Sequence, residues 1–449
     1  MADLIEQGLL LPTVGTPKDT HRGNKALVYF NRNTRHLHFV FAGVDYEITT
    51  NAYLESVMQV LQTTAFGETL TARLRPRAGW RGDYPFTSTP NPILYVSTAT
   101  GSGTISSNEN RFKLSTGTDV NGAMRLQTRR VLRYMPGIGG LVRFTAVFET
   151  PKASTRQIVG IGDSNDGFFF GYDGTTFGVL RRNNGSDTWV TSANWNGEAP
   201  SFTPDYTKGN IFQIRYQWLG YGFIRFYIYD PNEEDMHLLH AIKYPNTSAS
   251  VSVRNPTLPL MAEVANTGNN TNMVLYTPSA LGATEGDTDG DYDPFLVVNS
   301  VATSPTFNNT NENHVITIRN KATAYAGSVT NRITVCIKEL SVARDGSAAL
   351  TTFKVYRSAR ATVTYGAALT FVDYSADYSP VETSTTTTTV TGGTAERTVM
   401  MKSGDSPFQF KIDTQEMDLR PGDYITISCT DSTAASTQVA VSVTWGEEF

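Results

Sequence analysis

The chain has 449 residues, 37 basic and 42 acidic side chains for a formal net charge of −5, and a 39% hydrophobic share. That length exceeds what one hydrophobic core supports, so two to three domains of roughly 150 residues are expected. Charged residues make up 18% and both signs are mixed, which leaves no field to attract polyanions and argues against nucleic-acid binding.

Two cysteines, Cys336 and Cys429, lie in apolar alternating runs, where a thiol behaves as a small hydrophobe and no disulfide framework is possible. Met1-Ala2-Asp3-Leu4-Ile5-Glu6 lacks the basic and apolar regions of a secretory leader. No stretch approaches the ~18 apolar residues of a membrane span. Synthesis in a cytosol is therefore expected, with no membrane insertion, and the Asn-x-Ser/Thr matches at Asn184, Asn246, Asn269 and Asn308 carry little weight.

In chain order, Ala26 to Phe30 and His36 to Val44 read as strands. Leu54, Val57, Met58 and Leu61 then predict a helix capped by Thr50 or Asn51 and followed by Gly67. Residues 73 to 92 are turn-rich, with Arg75-Pro76, Ala78-Gly79, Gly82-Asp83, Tyr84-Pro85 and Asn91-Pro92. Residues 1–105 are accordingly expected to be a small α+β docking segment.

From Asn110 onward short strands alternate with Gly, Asn and Asp turns, as in Leu141 to Phe148, Gln157 to Ile161, Gly167 to Tyr172, Thr176 to Leu180 and Ile211 to Trp218. In Phe223 to Tyr229, Phe223, Arg225, Tyr227 and Tyr229 share one face while Ile224, Phe226 and Ile228 share the other. Such spacing favours a sandwich, expected over residues 106–286. After an acidic stretch, strands at His314 to Arg319, Arg332 to Ile337, Phe408 to Ile412, Tyr424 to Ser428 and Val439 to Trp445 predict a second sandwich over residues 295–449. The run from Thr383 to Thr391 reads as either an exposed strand or a loop. The fold class is thus all-β: two β-sandwiches of jelly-roll or concanavalin-like type after an α+β segment.

Candidate chemistry is sparse. Gly162-Asp163-Ser164 matches the nucleophile block of Gly-Asp-Ser hydrolases, but Asn165-Asp166-Gly167 and a Phe-Phe-Phe run follow it, which is hairpin chemistry, and no Asp-x-x-His comes after. Asp287, Asp289, Asp291 and Asp293 alternate like calcium ligands, yet Tyr292 and Val298 stand where an EF-hand needs Gly and Glu. A solvated acidic loop is the preferred reading, with calcium left open. His36-x-His38 would bind a metal only as copies around a trimer axis, and His237-x-x-His240 has no third ligand nearby in sequence. Arg125, Arg129, Arg130 and Arg133 form either a contact for phosphate or an acidic neighbour or, the preferred reading, one charged face of a strand. No carboxylate pair for glycoside hydrolysis is singled out. Catalytic residues, cofactors and metal ligands are therefore expected to be absent. Of the aromatics between Trp189 and Tyr229, Trp189, Trp195, Tyr206 and Tyr221 are the candidates to face a glycan, against the alternative that they fill the core.

The stretches from Arg129 to Phe148 and Gln157 to Leu180, with Asn255-Pro-Thr-Leu-Pro-Leu260 and Asn266-Thr-Gly268, together resemble a sandwich domain of structural proteins in tailed bacteriophages and other large DNA viruses. Leu419 to Ile427 and Val441 to Phe449 are similar to the last strands of such proteins. The resemblance covers about residues 110 to 449 and brings no catalytic residues. It implies a non-enzymatic virion protein of the tail or adhesion apparatus, docked by residues 1–105. Other virion proteins, a homotrimeric arrangement and a host surface glycan are the implied partners. The alternatives are a minor capsid or head decoration protein, and a carbohydrate-binding or carbohydrate-active protein.

Overall fold

The structure, a computed structural model, describes residues 74–285, 296–324, 329–346, 350–360, 362–412 and 417–448, and the backbone of five strands before residue 74. Those five, Ala2–Ile5, Leu9–Val14, Leu27–Asn31, His36–Phe41 and Val44–Ile48, form one sheet in that order. It is antiparallel except where Leu9–Val14 runs parallel to Leu27–Asn31. They belong to a compact unit ending at Thr71. The helix expected at Leu54 to Leu61 lies outside the described residues.

The second unit, from Ala72 on, is all-β and holds two sandwiches, each with its own core. Apart from a 3-10 turn at Ser192–Asn194, its described elements are strands. In the first sandwich a seven-stranded sheet runs Ser186–Thr191, Thr176–Asn183, Gly167–Asp173, Thr155–Gly162, Leu258–Asn266, Ala123–Leu132, Tyr95–Thr100. Facing it is a sheet of nine strands built around Gly139–Phe148. Alternation decides which side chains lie between the layers: Val142, Phe144, Ala146 and Phe148 on one strand meet Val159, Ile161, Phe168 and Phe170 from the other sheet. Ile224, Phe226 and Ile228 point inward and Arg225, Tyr227 and Tyr229 outward, as the alternation predicts. At roughly 25 cal/mol per Å2 of apolar surface removed from water, burial of this aromatic layer stabilises the first sandwich.

The first sandwich begins earlier than the expected boundary at residue 106. Leu74–Arg81 pairs with Ser279–Glu285, and Tyr95–Thr100 pairs with Ala123–Leu132. Of the Pro and Gly residues that read as turns, Pro76 and Gly79 lie on an edge strand, where proline is tolerated, while the chain from Gly82 to Pro92 is turn-rich as expected; Gly79 allows close approach, since a Cβ there would meet the Ala280 carbonyl at 2.7 Å. Trp80, 2% exposed, donates its indole N–H to Thr277 Oγ1 at 3.0 Å.

In the second sandwich, one sheet runs Leu296–Thr303, Thr437–Glu448, Thr334–Gly346, Phe408–Lys411, and the other is centred on Glu312–Asn320, Tyr424–Asp431 and Leu350–Arg357. Trp445, Ile316, Ile427 and Phe353 fill the space between them. Part of the Thr-rich run is sheet: Val381–Ser384 pairs with Glu312–Asn320, and Val390–Gly392 with Val363–Tyr365. Cys336 and Cys429 are both buried and free.

The sandwiches are joined by an ionic seam. Arg129 Nη1 lies 2.8 Å from Asp423 Oδ2, Arg133 Nη1 3.1 Å from Glu448 Oε1, and Arg332 Nη1 donates to the Arg254 carbonyl at 2.6 Å. Arg125, Arg129 and Arg130 lie at less buried positions of the strand Ala123–Leu132, in line with the preferred reading, and Arg125, Arg129 and Arg133 also meet the acidic neighbours that the other reading named. A register shift between Gln127 and Val131 breaks the alternation there, so Arg125 stays on the sheet face while Arg129 and Arg133 reach the second sandwich.

Candidate functional site

A cluster of charged and aromatic side chains lies on the outer face of the seven-stranded sheet. The pairing register puts Gln127, Met261, Gly160, Phe169, Leu180 and Trp189 in one row across six strands. Ile158, Phe169, Leu180 and Met261 form a small apolar cluster separate from the main core, with the half-buried Trp189 ring packed at its edge.

Charged groups overlie this floor. Glu263, 3% exposed, accepts from Arg125 Nε at 2.6 Å and Arg156 Nη2 at 2.9 Å. Arg156 also reaches Asp187 Oδ2 at 3.2 Å. Arg182 lies over the Phe169 ring at 5.5 Å and holds Asp187 through Nε at 2.7 Å. Burial alone would raise the Glu263 carboxyl, but Arg125 and Arg156 beside it outweigh that and hold it below the ordinary glutamate range. A glycosidase general acid needs the opposite shift. What the face offers is a flat ring, fixed guanidinium groups and a carboxylate acceptor that its arginines favour in the charged form.

The four aromatic candidates separate. Trp189 stands on this face. Trp195 and Tyr206 instead close one end of the main core: Trp195 is edge-on to Phe170 and Phe177 and donates its indole N–H to the Val190 carbonyl at 3.2 Å, while Tyr206 stacks on Phe177 with centroids 3.5 Å apart. Tyr221 is 41% exposed and donates to the Ala249 carbonyl at 3.2 Å. Of the charged residues of the face, Arg125 was singled out from sequence, within the arginine cluster, while Arg156, Arg182, Asp187 and Glu263 were not. The one available signal was Glu263, a lone charge in the otherwise apolar strand Leu258–Asn266.

Gly162 to Gly167 is the hairpin turn expected. Asp163 Oδ1 accepts from the backbone of Asn165 at 2.7 Å and Asp166 at 2.9 Å, and Ser164 is exposed at the tip. His237 and His240 lie on the strand Asp235–Ile242. His240 is buried against Phe226 and lies 3.3 Å from the Asn196 backbone N–H. The side chains of His36 and His38, and Asp287, Asp289, Asp291 and Asp293, lie outside the described residues.

No family model and no curated protein matches the sequence. Among solved structures, the chain is similar to a glycosyl hydrolase family protein from Mycobacterium fortuitum, with 11% identity and a TM-score of 0.34 over 46% of this chain and 99% of that one. A β-1,3-glucanase from Mycobacterium marinum gives 13% identity and a TM-score of 0.33 over 46% and 98%. The Emp46p carbohydrate recognition domain, in a single-substitution mutant, gives 11% identity and a TM-score of 0.29 over 46% and 99%. The likeness is one of sandwich architecture and carries nothing about activity.

Proposed function

We propose that this chain is a non-enzymatic, lectin-like recognition protein that binds carbohydrate on the outer face of its seven-stranded sheet. The observation that carries the reading is the row ending at Trp189, where a half-buried indole packs on the apolar cluster of the sheet face that also carries the Arg156, Asp187 and Glu263 network. A flat apolar ring next to fixed donors and acceptors suits a polyhydroxylated ring, which presents an apolar face and hydroxyl edges. Glu263, clamped by two arginines, acts as an acceptor and not as a proton donor.

The test is a glycan array followed by titration calorimetry on the full chain. Trp189→Ala should weaken the best glycan by about tenfold or more, roughly 1.4 kcal/mol, while Tyr221→Ala should leave it unchanged. Binding that survives Trp189→Ala, no binding at all, or depolymerisation of the bound glycan would each overturn the reading.

A virion structural role, whether in the tail, in adhesion or in head decoration, is the second reading. Exposed Val297, Val298, Val372, Tyr378, Met400 and Phe408 on the second sandwich favour it, because assembly proteins bury such groups against partners. Light scattering on the purified chain tests self-association directly, with a trimer expected and a monomer at high concentration counting against it.

A further inference from the structure

A second cluster lies in the first sandwich's other sheet, where the hairpin between Ile224–Asp230 and Asp235–Ile242 turns. Asp230, Glu233 and His237 each offer a ligand atom there, all within 4.8 Å of one another. Asp230 is fully buried; Glu233 and His237 side chains are 51% and 13% exposed.

The hydrogen bonds around the cluster hold its ligand atoms in place. His237 Nε2 lies 2.9 Å from the Glu198 carbonyl, and a carbonyl can only accept, so Nε2 carries the proton. Nδ1 on the other side of the ring then faces Glu233 Oε2 at 3.5 Å. A ring nitrogen oriented by a backbone carbonyl on its far side is the usual outer support of a metal-binding histidine. Asp230 is fixed in the same way: Oδ1 accepts from Ser201 Oγ at 2.8 Å and the Asn232 backbone at 2.9 Å, and Oδ2 from the Ser201 backbone at 2.7 Å.

We propose that Asp230, Glu233 and His237 bind a divalent transition-metal cation of the Zn2+ class. One imidazole and two carboxylates suit Zn2+ better than Ca2+, which prefers oxygen alone and a larger ligand number. Three protein ligands leave a fourth tetrahedral position for water. The cation ties residues 198–201 to the hairpin, because its ligands are the groups that hold Glu198 and Ser201. It thereby steadies the segment that carries Trp195, independently of whether the opposite sheet binds sugar.

Titration calorimetry of the chelator-treated full chain with ZnCl2 alone should show one saturable site per chain. Co2+ should give the intense visible bands of tetrahedral coordination. Glu233→Gln changes a half-exposed side chain and is expected to keep the fold, checked by circular dichroism, while weakening Zn2+ binding about tenfold or more. His237→Asn should do the same, and His240→Asn should leave binding unchanged. Hydrogen exchange at 197–201 should slow on adding Zn2+. No Zn2+ uptake, uptake unchanged in both ligand variants, or Ca2+ bound more tightly than Zn2+ would overturn the assignment.

Discussion

Arg129 clasps Asp423 across the junction of the two sandwiches, one guanidinium nitrogen lying 3.1 and 2.8 Å from the two carboxylate oxygens. Both side chains are 15% exposed. Arg129 Nε also donates to the Pro92 carbonyl at 2.9 Å, and Asp423 accepts from the Arg420 backbone at 3.2 Å. Removing one partner strands the other charge in a largely dry junction. Arg129→Ala should therefore cost about 2–3 kcal/mol and split denaturant unfolding into two transitions, one per core, followed by tryptophan fluorescence. A single transition at the original midpoint would mean that the seam does not couple them.

Glu263 sits between Arg125 and Arg156 at 3% exposure. Glu263→Gln should destabilise the first sandwich by about 2–4 kcal/mol, since two guanidinium groups lose their shared counter-charge. The native carboxyl is held below its unfolded value. Its contribution is therefore present above the ordinary glutamate range and is lost as pH falls through the native value. Melting temperatures between pH 6 and pH 3 should fall more steeply in the wild type than in Glu263→Gln.

His314, 1% exposed, donates Nδ1–H to the Thr386 carbonyl at 2.7 Å and accepts at Nε2 from Thr317 Oγ1 at 2.8 Å. Burial pushes its affinity for a proton down, against a smaller opposing effect of the Thr386 carbonyl. The unfolded chain thus binds protons more readily. Stability from this residue is complete above about pH 6.5 and declines as pH falls toward the lower native value. His314→Asn should flatten the pH dependence of the second sandwich's unfolding between pH 7.5 and 5.5, and an unchanged slope would contradict the assignment.

The Gly-Asp-Ser block gives a contrast between neighbours. A Cβ on Gly162 would lie 2.4 Å from both Phe169 Cζ and the Asp166 carbonyl oxygen, so Gly162→Ala must displace the ring or open the hairpin. A loss of about 1–3 kcal/mol is expected. Ser164 is exposed, and Ser164→Ala should change stability by less than about 0.5 kcal/mol. Thermal melts of the two variants check this.

What the sequence revealed was whatever alternation encodes. The inward set Ile224, Phe226 and Ile228 was legible because each side chain answers only to its own strand. Leu74–Arg81 was not, because its pairing with Ser279–Glu285 crosses the whole first sandwich while Pro76 and Gly79 signal turns locally. Trp195 and Tyr206 were indistinguishable from Trp189 in composition, and only the packing onto Phe177 separates them. His237 was matched with His240 in sequence. The bulge opposite Phe226 and Tyr227 turns His240 inward, leaving His237 to Asp230 and Glu233.

The strand Thr437–Glu448 lies between Leu296–Thr303 and Thr334–Gly346 and pairs with both. Glu447 accepts from Asn299 Nδ2 at 3.0 Å across 148 positions, and Glu448 reaches Arg133. During synthesis the two flanking strands are made long before the strand that separates them, so each carries an unpaired edge in the meantime. The second sandwich and the seam can form only once residues 437–448 have emerged, which makes its folding slow and late, with exposed sheet edges that a chaperone would have to shield.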